Sequence, residues 1–168
     1  MALLLCFTGL PGVGKSTIAK RVAEETGALW LWLDEIEAAM RSSHMEADDL
    51  ADGGYAAAQA IAKRALLQGY DVIADCVNPL ELTRDAWRQV ASEAGASFQC
   101  VALSCNNPKE HRSRVETRKV DLDGWTAPKW SDVSERFIEP FSDDMMQLDT
   151  STLSVNEAAE SLSKLFSR

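Results

Sequence analysis

The stretch "GLPGVGKST" at residues 9–17 constrains the fold of this chain more than any other feature. It follows the apolar run "ALLLCFT" and precedes "IAKRVAEETG", in which apolar residues recur at helical spacing. A glycine-rich turn between a buried strand and a helix lets backbone N–H groups point at an anion without clashes from Cβ atoms. The helix N-terminus adds partial positive charge at the same place. The stretch therefore predicts a strand–turn–helix unit that binds phosphate groups.

The residues of this turn match the motif G-x-x-x-x-G-K-S/T, in which each residue type has its own task. Lys15 is expected to span the β- and γ-phosphates of a nucleoside triphosphate, and the Ser16 hydroxyl to ligate Mg²⁺. Thr17 is expected to reach the α-phosphate. The predicted cofactors are therefore ATP and Mg²⁺. The predicted nucleotide-binding residues are Gly9, Pro11, Gly12, Val13, Gly14, Lys15, Ser16 and Thr17.

The remainder of the 168 residues alternates short apolar runs with longer helical patterns, which predicts one α/β domain over residues 1–168. Five strands joined by helical crossovers give a doubly wound parallel sheet. The predicted strands are "ALLLCFT", "ALWLWLD", "DVIADC", "FQCVALSC" and "MMQLD". Ligands of such sheets bind at the carboxyl ends of the strands, so we expect the site there.

Composition narrows the choice of partners. The net charge of −9 disfavours non-specific binding to nucleic acid or to an anionic membrane. No apolar run reaches the length of a membrane span, which predicts no membrane partner. Four cysteines without metal-type spacing are typical of reduced, buried thiols in a cytoplasmic protein. We expect a monomer or a homodimer.

Asp75 ends the strand "DVIAD" and is the natural second ligand for Mg²⁺, either directly or through water; the alternative is an aspartate that caps the next turn. The next residue is Cys76, where motor ATPases commonly carry a water-activating glutamate. "DLDG" at 121–124 lies too far beyond the third strand for a GTPase switch, and no N-K-x-D motif is present. These observations disfavour a motor ATPase and a GTPase, and they leave a kinase as the predicted class of protein.

A kinase needs a group that orients or deprotonates the acceptor hydroxyl, and cations near the transferred phosphoryl group. Asp34, at the end of the second strand, is predicted to be the base or orienting carboxylate, although it could instead cap the following helix. Arg114 and Arg118 share one helical face and are predicted to act in a lid at about 108–131; the alternative is a solvated helix with Glu–Arg pairs. Asn78 and Arg84 are predicted to face the acceptor, although a turn and an exposed arginine explain them equally well.

With these blocks in this order, the chain resembles the small P-loop kinases of the nucleoside-monophosphate-kinase-like class. The relatives by motif are the zeta-toxin-like, gluconate-kinase, adenylylsulfate-kinase, chloramphenicol-phosphotransferase and polynucleotide-kinase families. The resemblance rests on "GLPGVGKST", "LWLDEIEAAM", "GYDVIADCVNP" with "TRDAWR", and "NPKEHRSRVETR". It implies a three-layer P-loop NTPase fold with strand order 2-3-1-4-5. It also implies the same roles for Lys15, Ser16, Asp75 and Asp34, and a lid that carries Arg114 and Arg118.

The predicted function is an ATP-dependent phosphotransferase that moves the γ-phosphate to a hydroxyl of a small molecule. One alternative is a nucleotide-binding regulatory module without a small acceptor. Another is a 5′-hydroxyl polynucleotide kinase. Polynucleotide kinases of this type carry an arginine where Glu37 stands here, which disfavours a nucleic-acid acceptor.

Overall fold

The structure, a computed structural model, describes residues 1–44, 49–120, 122–123, 125–142 and 145–166. Residues 45–48, part of an acidic stretch at 42–54 that predicts a loop, and both ends of "DLDG", at 121 and 124, lie outside the described residues. None of the helices in the described part of the chain combines the length and apolar character that a membrane span requires.

Five strands of the described chain form one parallel sheet in the order β2-β3-β1-β4-β5, which confirms the predicted fold class and strand order. The buried strands β1 and β3 lie at its centre, and Leu5 of β1 is in register with Ile73 of β3. The strands are β1 Leu3–Thr8, β2 Leu29–Trp32, β3 Val72–Asp75, β4 Ser97–Ser104 and β5 Met146–Asp149.

Helices connect these strands and cover both faces of the sheet. They are α1 Lys15–Thr26, α2 Leu33–Arg41, α3 Gly53–Leu67, α4 Glu81–Glu93, α5 Pro108–Thr117, α6 Trp130–Ser134 and α7 Val155–Ser163, followed by a short 3₁₀ turn at Lys164–Phe166. Two of these helices begin at side-chain caps. The Asn107 side chain accepts a hydrogen bond from the Glu110 N–H, and Ser154 and Glu157 form a capping box.

Alternate side chains of β1 pack into two separate hydrophobic cores, as expected of a strand covered on both faces. Leu4 and Cys6 belong to the core on the side of α3 and α4. Leu5 and Phe7 belong to the core on the side of α1 and α7. Because β1 is completely buried in this way, the glycine-rich turn that follows it starts from a rigid base at the carboxyl edge of the sheet.

Two element boundaries differ from the prediction in ways that matter for the site. β2 ends at Trp32, so Asp34 lies in the first turn of α2 and not at the end of a strand. The sequence before Pro140 also predicts a helix over Ser131 to Glu139, but α6 ends at Ser134. The chain beyond it is instead bound to the loop after β3, since the Glu139 N–H donates to the Pro79 carbonyl at 2.8 Å. A tertiary hydrogen bond therefore takes the place of a further helical turn.

Candidate functional site

The turn between β1 and α1 adopts a conformation that only glycine accommodates at two positions. Gly9 has φ of 144°, and a Cβ atom there would lie 2.3 Å from the Leu103 carbonyl oxygen. Gly12 has φ of 84°, and a Cβ atom there would lie 2.5 Å from Cγ2 of Val115. The turn is thus pressed between β4 and α5, and its glycines are required by close approach as well as by backbone angle.

Lys15 is buried at the start of α1, with 7% of its surface exposed. Its ammonium group donates to the carbonyl oxygens of Gly9 at 2.8 Å and Leu10 at 3.0 Å. Burial lowers the pKa of Lys15, and the nearby carboxylate of Asp75 opposes that shift. A buried cation held only by two carbonyl dipoles and a neighbouring carboxylate is well suited to exchange the carbonyls for phosphate oxygens.

Asp75 stands at the end of β3, with 3% of its surface exposed. Burial raises the pKa of its carboxyl, while Lys15 and a hydrogen bond from Ser16 counter that rise. Trp30 also donates from Nε1 to the carboxylate at 3.3 Å. The structure thus brings together the predicted metal ligands Ser16 and Asp75.

The oxygen donors of Ser16 and Asp75 fit Mg²⁺, which is commonly held by one or two protein ligands together with phosphate oxygens and water. No group of three or more His, Cys, Asp or Glu side chains that could hold a metal occurs among the described residues.

Asp34 and Arg118, predicted as base and lid cation, are in direct contact. Arg118 donates from Nη2 to Oδ2 of Asp34 at 3.0 Å, and its guanidinium lies 4.9 Å from the centre of the Trp125 ring. The alternative that Asp34 caps α2 is wrong, because Trp32 occupies the cap position. The carboxylate is therefore free of a capping role and points toward the segment that follows α5.

Arg114 contacts a different part of the protein. It donates to the side-chain and carbonyl oxygens of Thr150 at 2.8 and 2.9 Å, and to Glu110 at 2.5 Å. Thr150 in turn donates to the Val13 carbonyl of the glycine-rich turn at 2.8 Å. Arg114 thus joins α5 to the loop after β5 and to the turn. The predicted pair with Glu110 exists, but it is only part of this network.

Two cavities flank the Asp34–Arg118 pair. The first, which we call the donor cavity, has a volume of about 560 Å³ and is lined by Lys15, Ser16, Thr17, Arg114 and Arg118, among others. The second, the acceptor cavity, has a volume of about 790 Å³ and is lined by Asp34, Arg118, Tyr55 and Trp125, among others. Arg118 lines both cavities, so the two spaces adjoin at its side chain.

The predicted nucleotide-binding residues divide between these spaces. Gly12 and Gly14 line the donor cavity together with the three residues that follow. Pro11 lines the acceptor cavity instead. Val13 is buried and contributes its carbonyl to Thr150. The glycine-rich turn therefore forms part of the partition between the two cavities.

The prediction that Asn78 and Arg84 face the acceptor is wrong. Both are buried, and neither lines the acceptor cavity. Arg84 donates to the carbonyls of Asn78 and Pro140, each at 3.2 Å. Its guanidinium therefore joins the backbone just before α4 to the segment after α6, and the sequence around Asn-Pro does not reveal this role.

Asn78 is a hydrogen-bonding centre that sequence reasoning missed. It is fully buried at φ of 45°, and its amide donates to the Phe7 carbonyl at 2.7 Å. Its side-chain oxygen accepts from Nε1 of Trp87 at 3.2 Å, and its N–H donates to the Tyr55 hydroxyl at 3.2 Å. Through these bonds Asn78 connects the loop after Asp75 to the carboxyl end of β1. Asparagine tolerates this positive φ better than most residues, but the angle itself is not visible in the sequence.

The fold and the site define a P-loop NTPase with a kinase-like architecture. The chain belongs to the AAA domain family, whose model matches residues 4–139. No curated protein sequence matches the chain.

Solved structures of similar fold include kinases. The chain is similar to Kti12 from Chaetomium thermophilum in complex with ADP-AlF3, with a TM-score of 0.69, 18% identity, and 98% and 100% of the two chains covered. It is similar to a sugar kinase from Janibacter sp. HTCC2649, with a TM-score of 0.66 and 18% identity, and the match covers 96% of this chain and 92% of that one. It is also similar to the Mycobacterium tuberculosis APS kinase CysC in complex with AMPPNP and APS. That match has a TM-score of 0.65 and 20% identity, and it covers 98% of this chain and 96% of the other. At these identities the likeness concerns the fold, and it agrees with the resemblance to small P-loop kinases.

Proposed function

We propose that this protein is an ATP-dependent phosphotransferase that moves the γ-phosphate of ATP to a hydroxyl group of a small molecule. The observation that carries the proposal is the pair of adjoining cavities with Asp34 and Arg118 at their boundary. A kinase requires two neighbouring spaces, one for each substrate, with a carboxylate and a cation where they meet.

On the donor side, the residues of the glycine-rich turn and the buried ammonium of Lys15 bind the phosphates of ATP. The complexes of similar folds with AMPPNP and ADP-AlF3 support this assignment. Mg²⁺ bound with the nucleotide, at Ser16 and Asp75, would neutralise charge on the β- and γ-phosphates. Arg114 orders the loop after β5 beside the nucleotide through its bonds to Thr150.

On the acceptor side, the Asp34 carboxylate orients the hydroxyl and accepts its proton. The hydroxyl oxygen forms a bond to the γ-phosphorus, the bond from that phosphorus to the β–γ bridging oxygen breaks, and ADP leaves. Arg118 lines both cavities and can stabilise the charge on the transferred phosphoryl group. Since Arg118 already contacts Asp34, a small rotation of its side chain is enough to serve both substrates.

Two observations favour this function over the alternatives. A regulatory module without a small acceptor has no need of a cavity of about 790 Å³ beside the nucleotide. A polynucleotide kinase needs a basic groove that leads to Lys15, but the acceptor cavity carries three acidic side chains, Asp34, Glu37 and Asp52, that balance its three arginines. The four cysteines are present as thiols and not as disulfides, which supports a reducing compartment, and we infer the cytoplasm.

The test is ADP release from ATP and Mg²⁺ with a panel of hydroxyl compounds, namely nucleosides, sugars, sugar acids and neutral alcohols. We expect at least one compound to raise ADP release and to become phosphorylated. Lys15→Ala should abolish this turnover, whereas Lys20→Ala, which changes an exposed lysine of α1, should leave it unchanged. Slow ADP release that no compound accelerates would instead support the regulatory module.

A further inference from the structure

We propose that the acceptor cavity takes an uncharged alcohol whose hydroxyl is carried on a largely apolar body. The inference rests on the proposed function, because it treats this cavity as the acceptor site. It adds the chemical class of the acceptor, and it sets that class against sugar acids, nucleotides and free sugars.

The first observation is the balance of charge in the cavity. It contains three arginines and three acidic residues, and two arginines are committed: Arg41 to Glu37 at 3.2 Å and Arg118 to Asp34 at 3.0 Å. The remaining two charged groups, Asp52 and Arg136, have opposite signs. An anionic acceptor requires cations that are not already neutralised by protein carboxylates. The cavity therefore offers no excess positive charge to a sugar acid or a nucleotide.

The second observation is the apolar character of the walls. Half of the side chains that line the cavity are apolar, and they come from every segment that surrounds it. Leu33 lies on the side of α2, Pro79 and Leu82 lie at the start of α4, and Trp125 and Pro128 lie on the segment before α6. A polyol would place some of its hydroxyl groups against these apolar side chains, at a cost for each group that no polar side chain of the cavity reaches. An apolar body gains free energy from the same contacts.

The third observation is an apolar rim at the mouth of the cavity. Leu82 lines the cavity and yet is 76% exposed, and Phe137 is 68% exposed. Glu139 donates from its backbone N–H to Pro79 and accepts a hydrogen bond from the Glu81 N–H through its side chain, so the segment of Phe137 lies along the start of α4. Large apolar side chains exposed together beside a cavity mark a ligand-binding surface.

The polar groups of the cavity suit a ligand with few polar atoms. The Tyr55 hydroxyl accepts a hydrogen bond from the Asn78 N–H, so its own proton is available to a ligand. Burial raises the pKa of Tyr55, which keeps the hydroxyl protonated at neutral pH. Together with Asp34, this donor can fix the orientation of an otherwise apolar alcohol.

The experiment measures binding separately from turnover. The full chain, saturated with AMPPNP, is titrated with six uncharged aryl-alkyl alcohols, of which 3-phenyl-1-propanol is the first, and with gluconate and glucose, and followed by calorimetry and saturation-transfer NMR. We expect saturable binding of at least one aryl alcohol, and none of gluconate or glucose. Leu82→Asp should weaken that binding by about tenfold or more, since it removes an apolar contact and adds charge. Leu67→Asp is the control, because Leu67 is 53% exposed and lies outside the cavity.

ADP release is measured in parallel with each compound, so that the two proposals fail separately. Phosphorylation of gluconate or glucose, without binding of any aryl alcohol, overturns the inference and leaves the phosphotransferase intact. Binding of an aryl alcohol that Leu82→Asp weakens, without ADP release in any mixture, supports the ligand class and counts against phosphoryl transfer. Absence of binding by all six alcohols, or binding that Leu82→Asp leaves unchanged, also overturns the inference.

Discussion

Arg118 donates to Asp34 across 3.0 Å while its guanidinium lies 4.9 Å from the centre of the Trp125 ring. One side chain thus joins the segment after α5 to a carboxylate of α2, and it lines both cavities. An arginine in this position can change its partner between a carboxylate and a phosphoryl group with little movement. The proposed chemistry depends on this contact.

Arg118→Ala is expected to lower kcat by about 10²–10³-fold, because one charge-stabilising donor of the transition state is lost. The dissociation constant for ATP should change much less, since Lys15 and the glycine-rich turn remain. Arg112→Ala is the matched control, because Arg112 lies on α5 but pairs with Glu116 at the surface. Steady-state kinetics with the acceptor found by the screen checks this. Equal losses in both variants would assign Arg118 a structural role only.

Asp34→Asn is expected to leave ATP binding unchanged and to lower kcat by about 10²–10⁴-fold, the usual contribution of a general base. Asparagine keeps the size of the side chain but does not accept the proton. The neighbouring Glu35→Gln, an exposed change in the same helical turn, should have no effect. Nucleotide titration and ADP release measure the two quantities. Full activity of Asp34→Asn would exclude Asp34 as the base.

Asp75→Asn is expected to raise the unfolding free energy at pH 7 in the absence of nucleotide. Burial raises the pKa of Asp75 above its ordinary value of 3.8, so the folded protein binds its proton more tightly than the unfolded chain. That contribution to stability is fully present below about pH 3.8 and is lost as pH rises through the folded pKa. The advantage of the asparagine variant should therefore shrink toward pH 4.

Chemical denaturation of both proteins between pH 4 and pH 8 measures this difference. Asp85→Asn is the control, since Asp85 is exposed on α4. A difference between Asp75→Asn and the parent protein that does not depend on pH would refute the electrostatic explanation. In the presence of ATP and Mg²⁺ the order should reverse, because the parent protein gains more stability from the bound nucleotide than a variant that has lost a ligand of Mg²⁺.

Asn78→Ala is expected to lower the unfolding free energy by about 2 kcal/mol or more, because it leaves buried partners without a hydrogen bond. Those partners are the Phe7 carbonyl and the indole N–H of Trp87. Asn156→Ala, an exposed change in α7, should stay within about 0.5 kcal/mol of the parent. Urea denaturation gives both values. A loss for Asn78→Ala as small as that of the control would show that the network is not a source of stability.

Much of this architecture could be read from local patterns. The glycine-rich turn, the individual strands and the caps at Asn107 and Ser154 depend on neighbours within a few residues, which the sequence displays directly. Asp75 was also predictable as a site residue, because a carboxylate at the end of a buried strand has a fixed position at the edge of the sheet. The resemblance to known kinases supplied the strand order.

The sequence by itself determined that this protein has a phosphate-binding turn between a buried strand and a helix, since the spacing of the glycines and one lysine is enough to specify it. Only the tertiary structure decided that Arg118 contacts Asp34, 84 residues away, and that Asn78 and Arg84 point into the protein instead of the acceptor cavity. The direction of such a side chain depends on which buried backbone groups nearby lack a hydrogen-bond partner. Those demands arise only when the strands and helices have come together.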